Sequence, residues 1–154
     1  MLNLTNLIQS LNELCEELHE EYEINFGGCC FVASLIAKHF DRLNILYELV
    51  VYNDYDLNID DIQNEVSNKV TNQDSDSVTG YNTCSHYCLN VFGFGIINEG
   101  GFGDMSEHHI KNINSSNISW IYKNTKWNPD YLTINNNRIK TIINSFFKKY
   151  EENY

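Results

Sequence analysis

Apolar residues recur every three or four positions in the first part of the chain. They predict an amphipathic helix over 3–22 whose outward face carries glutamates. A glycine pair, Gly27-Gly28, ends this pattern, and the next segment, 29–42, is apolar on most sides. That second segment is predicted to form a central, buried helix. The apolar positions of the first helix are Leu4, Leu7, Ile8, Leu11, Leu14, Leu18 and Tyr22.

Runs of β-branched and aromatic residues at 45–52 and 84–92 predict two strands. Gly93-Phe94-Gly95 is a turn signal, and a third strand is predicted at 96–98. The order of elements predicts one α+β domain over 1–154, with N-terminal helices and a C-terminal helix packed on a small, mostly antiparallel sheet. The remaining predicted elements are a short helix at 57–66, a loop at 72–80, a strand at 118–122 and a helix at 135–150.

Charge narrows the range of partners. The 154-residue chain has 10 Lys and Arg against 21 Asp and Glu, which gives a formal net charge of −11. Phosphate backbones and anionic lipids repel such a charge, so we expect neither a nucleic-acid nor a membrane partner. No run of about 18 apolar residues occurs, and the first residues lack the features of a signal peptide. We therefore expect a cytoplasmic protein, and the heavy use of asparagine is typical of an AT-rich bacterial or phage genome.

The chain has five cysteines, Cys15, Cys29, Cys30, Cys84 and Cys88. An odd number of cysteines without a secretion signal indicates reduced thiols rather than a disulfide framework.

The segment around Cys29 has the features of a nucleophile site. Gly27-Gly28 allows a sharp backbone turn into the helix, and a cysteine in the first helical turn is predicted to have a lowered pKa. The free backbone N–H groups of Gly28 and Cys29 are candidates for the oxyanion site of an acyl transfer. Cys30 becomes the candidate nucleophile if the helix begins one residue later. The alternative interpretation is that both cysteines only pack in the core.

His86 lies in the second predicted strand and is the candidate base. On a strand it shares one face with Cys84, Cys88 and Asn90, while the apolar residues Tyr87, Leu89 and Val91 share the other. The apolar face is predicted to pack on the core, and the His86 face to meet the start of the helix at Cys29. An imidazole there takes the thiol proton and returns it to the leaving group.

A third residue is expected to orient the imidazole. If Gly93-Phe94-Gly95 is a three-residue hairpin loop, Asn90 lies opposite Asn98, and the Asn98 side chain shares the face of His86. A two-residue loop would bring Glu99 to that face instead. Asn98 is the predicted orienting residue, with Glu99 and Asp104 as alternatives.

These segments together resemble the papain-like and transglutaminase-like cysteine enzymes, taken broadly to include the NlpC/P60 type. The segment 28–33 resembles the start of their nucleophile helix, 44–51 the strand that follows it, and 85–91 their histidine strand. Asn98 falls near their third residue, which is Asn or Asp. The resemblance covers residues 26–102 in the order Cys, His, Asn. It implies a papain-like or transglutaminase-like core with a Cys-His-Asn triad.

The chain departs from this pattern at two positions. Cys30 stands where the family usually has tryptophan, and Glu23 stands where papain-like enzymes often have a glutamine that donates to the oxyanion. An ionised carboxylate cannot donate a hydrogen bond, so Asn25 is the candidate substitute.

The expected function is acyl transfer or amide hydrolysis through a thioester on Cys29, without a cofactor or metal. By family analogy the substrate is a protein or peptide. One alternative is a non-catalytic bacterial or phage binding or inhibitor protein on a degenerate papain-like fold. The other is a zinc-binding domain, since thiolate and imidazole are ligands that zinc prefers. The zinc ligands would come from Cys29, Cys30, Cys84, His86 and Cys88. His108 and His109 are predicted to face solvent.

Overall fold

The central strand of the fold is buried along its whole length. A computed structural model describes residues 3–53, 59–68, 86–124 and 130–152, and within these ranges the protein is α+β. The strands are β1 Tyr47–Asn53, β2 His86–Val91, β3 Gly95–Ile97 and β4 Ser106–Ile110. The helices are α1 Leu4–Tyr22, α2 Cys29–Leu43, α3 Ile59–Asn68, α4 Ser115–Asn124 and α5 Asp130–Glu152.

The four strands form one antiparallel sheet in the order β3-β2-β1-β4. One face packs on the helices through the apolar residues of β1 and β2, including Leu49 and Leu89, and contains the main core. The other face holds a smaller cluster of Val50, Tyr52 and Cys88. The predicted mostly antiparallel sheet and its apolar β2 face are thus confirmed.

Helix α1 begins and ends with local signals that the sequence carries. The side chain of Asn3 accepts the Asn6 N–H at 3.1 Å, which satisfies one of the free donors of the first turn. Glu23 adopts the left-handed conformation (φ 52°) and donates its N–H to the His19 carbonyl at 2.8 Å. These bounds confirm the helix predicted at 3–22.

Helix α2 begins at Cys29, at the predicted residue. Most of its side chains are buried, including Val32, Ile36 and Phe40, because the helix lies between the sheet and helices α4 and α5. It ends at Leu43, and the capping residue Asn44 is left-handed (φ 56°). This burial matches the prediction of a helix that is apolar on most sides.

The strand predicted at 118–122 is wrong, because this segment belongs to helix α4. Ile118, Ile121 and Tyr122 are buried at the three- and four-residue spacing of a helix face. Asn114 and Asn117 each accept the other's backbone N–H, at 2.9 and 3.0 Å, which fixes the helix start.

Strand β4 was not predicted. It lies at an edge of the sheet, and only Ile110 of its five residues is fully buried, so its sequence has no apolar alternation. The helices predicted at 57–66 and 135–150 are present as α3 and α5, while the predicted loop at 72–80 lies outside the described residues. Within the described ranges, no helix has the length and apolar character needed to cross a membrane.

Candidate functional site

Cys29 lies at the first position of α2, directly after the turn at Gly27 (φ 105°). Its sulfur accepts the backbone N–H of Tyr87 at 3.4 Å. The pairing of β2 with β3 ends at Leu89 and Ile97, and Tyr87 lies two residues beyond it. The Tyr87 N–H therefore has no partner in β3 and donates to the Cys29 sulfur instead. The nucleophile candidate therefore contacts the backbone of the histidine strand, one residue from His86.

Cys29 and Tyr87 belong to the main core on the helix face, whereas the His86 side chain lies with Tyr52 on the opposite face of the sheet. The prediction that the His86 face meets the start of the helix at Cys29 is therefore wrong.

Burial dominates the electrostatics of Cys29. The residue is 4% exposed, and burial raises the pKa of its thiol to about 11. The backbone N–H groups of Tyr87, Cys30 and Cys29 itself lower the pKa, but they do not offset the cost of burying a thiolate. The predicted low-pKa thiolate is wrong for this structure, because the effect of a helix N-terminus is smaller than that of full desolvation.

His86 is fully buried at the start of β2. Its Nε2 donates to the backbone carbonyl of Asn98 at 2.6 Å, and its ring stacks on Phe102 with the ring centroids 4.5 Å apart. Burial lowers the pKa of His86 to about 4, although the Asn98 bond acts in the opposite direction. The imidazole is therefore neutral at pH 7.

The bond to Asn98 also fixes the tautomer of His86. A carbonyl oxygen only accepts hydrogen bonds, so Nε2 carries the proton and Nδ1 carries a lone pair. Nδ1 is buried and has no hydrogen-bond partner among the residues that the structure describes. The Cys29 thiol is thus not hydrogen-bonded to it in this structure, and the ring offers a free acceptor.

Asn98 contacts His86 as expected of an orienting residue, but through its main chain. Its side-chain amide instead donates to Asn25 Oδ1 at 3.0 Å. Asn98 is left-handed (φ 64°), which turns its carbonyl toward the imidazole. The predicted alternatives Glu99 and Asp104 are exposed and have no hydrogen bond to His86.

The predicted hairpin register is wrong by two residues. Val91 pairs with Gly95, so the three-residue loop is 92–94 rather than 93–95, and Asn90 lies opposite Ile96 rather than Asn98. A shift of two keeps side chains on the same face, because side chains alternate with period two along a strand. Asn98 therefore still lies close to His86.

Two secondary candidates do not have the predicted role. The N–H of Gly28 donates to the Ile24 carbonyl at 2.7 Å, so it is not available to an oxyanion. The sulfur of Cys30 contacts the carbonyl of Ile118 in α4, at 3.7 Å, while Cys29 contacts β2.

Asn25 and Gly100 form one wall of the site, and Gly100 was not predicted. A Cβ at Gly100 would lie 2.9 Å from Asn25 Nδ2 and 3.4 Å from His86 Cε1. Both groups thus face the same glycine, which also has a positive φ of 67°. The glycine pair at 100–101 was the sequence signal, but it indicates only a strand end. Asn25 remains the candidate oxyanion donor.

Cys29 and Asn98 both line a small cavity. It has about 10 Å³ of space for the centres of water molecules, which is close to the minimum for one water. A substrate carbonyl does not fit in this volume. The other lining residues are Val32, Ala33, Ile36, Tyr87, Cys88, Leu89 and Ile97.

The described residues offer no group of three His, Cys, Asp or Glu side chains that could hold a metal ion. Of the predicted zinc ligands, Cys84 lies outside those residues, and Cys29 and Cys30 contact different elements.

A second polar cluster lies on the same sheet face. Glu48 is buried in β1, and its carboxylate contacts His109 Nδ1 and accepts from Asn90 at 2.9 Å. His109 Nε2 contacts Glu107 at 2.9 Å, and Glu107 accepts from the Tyr52 hydroxyl at 2.8 Å. His109 was predicted to face solvent, but its side chain is only 32% exposed. The signal for this cluster is the single charged residue, Glu48, in an otherwise apolar strand.

The two carboxylates of this cluster raise the pKa of His109. Partial burial lowers the pKa of His109, but the hydrogen bonds that its ring donates to Glu107 and Glu48 outweigh this effect, and the net direction is upward. A raised folded-state pKa contributes stability that is present below the unfolded value and lost as pH rises through the folded value.

A scan against protein-family models finds no match, and comparisons with curated proteins and with solved structures find none. The resemblance to papain-like and transglutaminase-like enzymes stays a prediction from the sequence.

Substitutions at Asn98 separate the role of its side chain from that of its carbonyl. Asn98→Gly should retain the His86 Nε2–H resonance in NMR spectra, because glycine adopts φ 64° without strain. In Asn98→Ala, the left-handed conformation costs alanine about 1–2 kcal/mol. This variant should lose intensity in the Nε2–H resonance and have a lower free energy of unfolding. Equal loss of the resonance in both variants would assign the orienting role to the Asn98 side chain.

Replacement of His109 tests the Glu48 cluster. His109→Leu should lower the free energy of unfolding by about 1–3 kcal/mol, because a buried carboxylate loses its partner. The loss, measured by urea denaturation, should be larger at pH 6 than at pH 8.5, since the charged imidazole forms the stronger pair. The double variant Glu48→Leu/His109→Leu should recover most of the stability. A single variant as stable as wild type at both pH values would contradict this role.

Proposed function

We propose that this protein is a cysteine-dependent acyl transferase or amide hydrolase, with Cys29 as nucleophile and His86 as base. The observation that carries the proposal is the free lone pair on Nδ1 of the buried His86, whose other nitrogen is fixed on the Asn98 carbonyl. A neutral imidazole with an unused acceptor is the form that a general base requires, and Cys29 contacts the same strand through the Tyr87 N–H.

The proposed reaction begins from a neutral pair. With the pKa of Cys29 at about 11 and that of His86 at about 4, neither group is charged at pH 7. The sulfur forms a bond to the substrate carbonyl carbon as its proton passes to His86 Nδ1. The C–N bond of the amide breaks, and the amine leaves with that proton. Water or a second amine then attacks the thioester carbonyl carbon, and the C–S bond breaks to release an acid or a new amide. The sulfur regains the proton that the attacking group loses.

The oxyanion would be held by the first-turn N–H groups of Cys29 and Cys30 and by the Asn25 amide. The backbone N–H groups of Cys29 and Cys30 act on the Cys29 sulfur and so lie beside the atom that attacks the carbonyl. The Asn25 amide nitrogen faces Gly100 beside the His86 ring.

Substrate entry requires the site to open, because Cys29 and His86 are both buried. The segment 99–105 carries Phe102 over the imidazole. It has two backbone hydrogen bonds of its own, Phe102 to Glu99 at 3.4 Å and Met105 to Phe102 at 3.0 Å. We propose that this segment moves aside to admit a peptide or protein substrate.

The second candidate is a non-catalytic binding protein on the same fold, which the exposed apolar residues at one end of the sheet favour. Leu46 is 76% exposed, and Phe92 and Phe94 are about half exposed. Because Tyr47 pairs with Val91, Leu46 and the hairpin tip lie at the same end of β1 and β2. Exposed apolar groups of this kind are typical of interaction surfaces.

Acylation by p-nitrophenyl acetate tests the catalytic proposal. The Cys29 sulfur should displace p-nitrophenolate and carry an acetyl thioester, which peptide mass mapping detects and hydroxylamine removes. His86→Asn should slow acetylation roughly 100-fold or more, because the proton acceptor is lost. The control His39→Asn should acetylate like wild type, since His39 lies near the other end of α2 and contacts Asn144. Absence of Cys29 acetylation over hours, in a folded protein, would favour the binding protein.

Iodoacetamide labelling tests the resting state of the same thiol. From the raised pKa of Cys29, its labelling rate should be low at pH 7 and rise roughly tenfold per pH unit toward pH 10. Cys15 should label more slowly at each pH, because burial raises its pKa to about 12. A labelling rate for Cys29 that is already maximal at pH 7 would indicate a thiolate and contradict the neutral pair.

A further inference from the structure

The side chain of Asn12 in α1 binds the open edge of the sheet beside the candidate site. Its Nδ2 donates to the Ile96 carbonyl at 3.2 Å, and its Oδ1 accepts the Asn98 N–H at 2.8 Å. Strand β3 is an edge strand, so these two backbone groups have no neighbouring strand. The amide of Asn12 supplies one donor and one acceptor to an edge that would otherwise be unsatisfied.

The contact with Asn98 lies where the strand changes direction. Asn98 has φ 64°, a conformation that costs a residue other than glycine about 1–2 kcal/mol. It persists because three contacts hold one residue. Asn12 binds its N–H, Asn25 binds its side chain, and His86 binds its carbonyl. Strained backbone of this kind is held by its surroundings.

We propose that Asn12 is a positioning residue that aims the Asn98 carbonyl at His86 and so holds the imidazole with Nδ1 free. The effect passes from the Asn12 amide to the Asn98 N–H, from the Asn98 backbone to its carbonyl, and from the carbonyl to Nε2. The catalytic consequence rests on the proposed function, while the orientation of the imidazole does not.

The bond that Asn12 supports has its own spectroscopic signature. A buried Nε2–H that donates at 2.6 Å should give a downfield proton resonance that exchanges slowly with water. This resonance is assigned by its absence in His86→Asn. Asn12 contacts Ile96 and Asn98 rather than His86 itself. If Asn12 only stabilised the sheet edge, its replacement would leave the His86 resonance unchanged.

Three substitutions in α1 test the proposal. Asn12→Leu removes both hydrogen bonds and should shift the His86 Nε2–H resonance and speed its exchange with water at least tenfold. Asn12→Asp keeps the acceptor for the Asn98 N–H and should retain the resonance, although the Ile96 bond is lost. The control Asn6→Leu places the same change on the exposed side of α1 and should behave as wild type. Asn12→Ser, which is too short to bridge both groups, replaces Asn12→Leu if that variant does not fold.

The outcomes separate the two proposals. An unchanged resonance in a folded Asn12→Leu or Asn12→Ser variant would overturn the role of Asn12, whether or not Cys29 is acetylated. Equal loss of the resonance in Asn12→Asp would overturn the route through the Asn98 N–H. If Cys29 is acetylated in wild type, Asn12→Leu should slow the reaction roughly 10- to 100-fold, as a misplaced base does. Loss of the resonance without wild-type acetylation would support Asn12 and contradict the enzyme.

Discussion

Strand β1 is buried at every one of its seven residues, so both of its faces need partners. On one face, Leu49 and Val51 pack on the helices. On the other face lie Glu48, Val50 and Tyr52, each opposite a residue of β2. The partner of Tyr52 across the ladder is His86, and the partner of Glu48 is Asn90. The positions of His86 and Glu48, one in each polar cluster described above, are therefore fixed by the register of one antiparallel pair.

Burial also decides the protonation states of Cys29 and His86. Cys29 and His86 are both buried, and each group is held in its neutral form because a charged form would lose its hydration. Glu48 is buried to a similar degree, but it contacts His109 and Asn90. Two clusters on one sheet thus meet the cost of burial differently. The first leaves its groups uncharged, and the second pairs a carboxylate with an imidazole.

Much of the fold could be predicted because it follows from local patterns. Helices α1 and α2 carry their apolar spacing and their ends in the sequence, and β1 is rich in β-branched and aromatic residues, with Glu48 as its single charged residue. Segment 118–122 was mistaken for a strand because isoleucine and aromatic residues suit both structures, and only tertiary contacts bury them at helical spacing. Strand β4 lacks an apolar pattern because it lies at an edge.

The residues of the candidate site could be named from the sequence, but their contacts could not. The glycines of the β2–β3 turn mark a loop without fixing its ends, so Asn98 was placed opposite the wrong residue. Asn98 contacts His86 through its carbonyl in a left-handed backbone conformation, which the sequence does not specify. The pKa of Cys29 depends on how completely the folded chain covers it, which is a property of the whole core rather than of the helix start.

Burial and reactivity are linked in the proposed enzyme. Movement of the segment 99–105 would admit water together with substrate, and hydration stabilises the charged forms of both groups. The pKa of Cys29 would fall and that of His86 would rise, each toward its ordinary value. Proton transfer from sulfur to Nδ1 would then become easier in the open state than in the closed one. Because the Asn98 carbonyl holds Nε2–H, Nδ1 keeps its lone pair for this step. Opening would thus supply access and proton transfer together, while the closed state keeps the thiol protonated and unreactive.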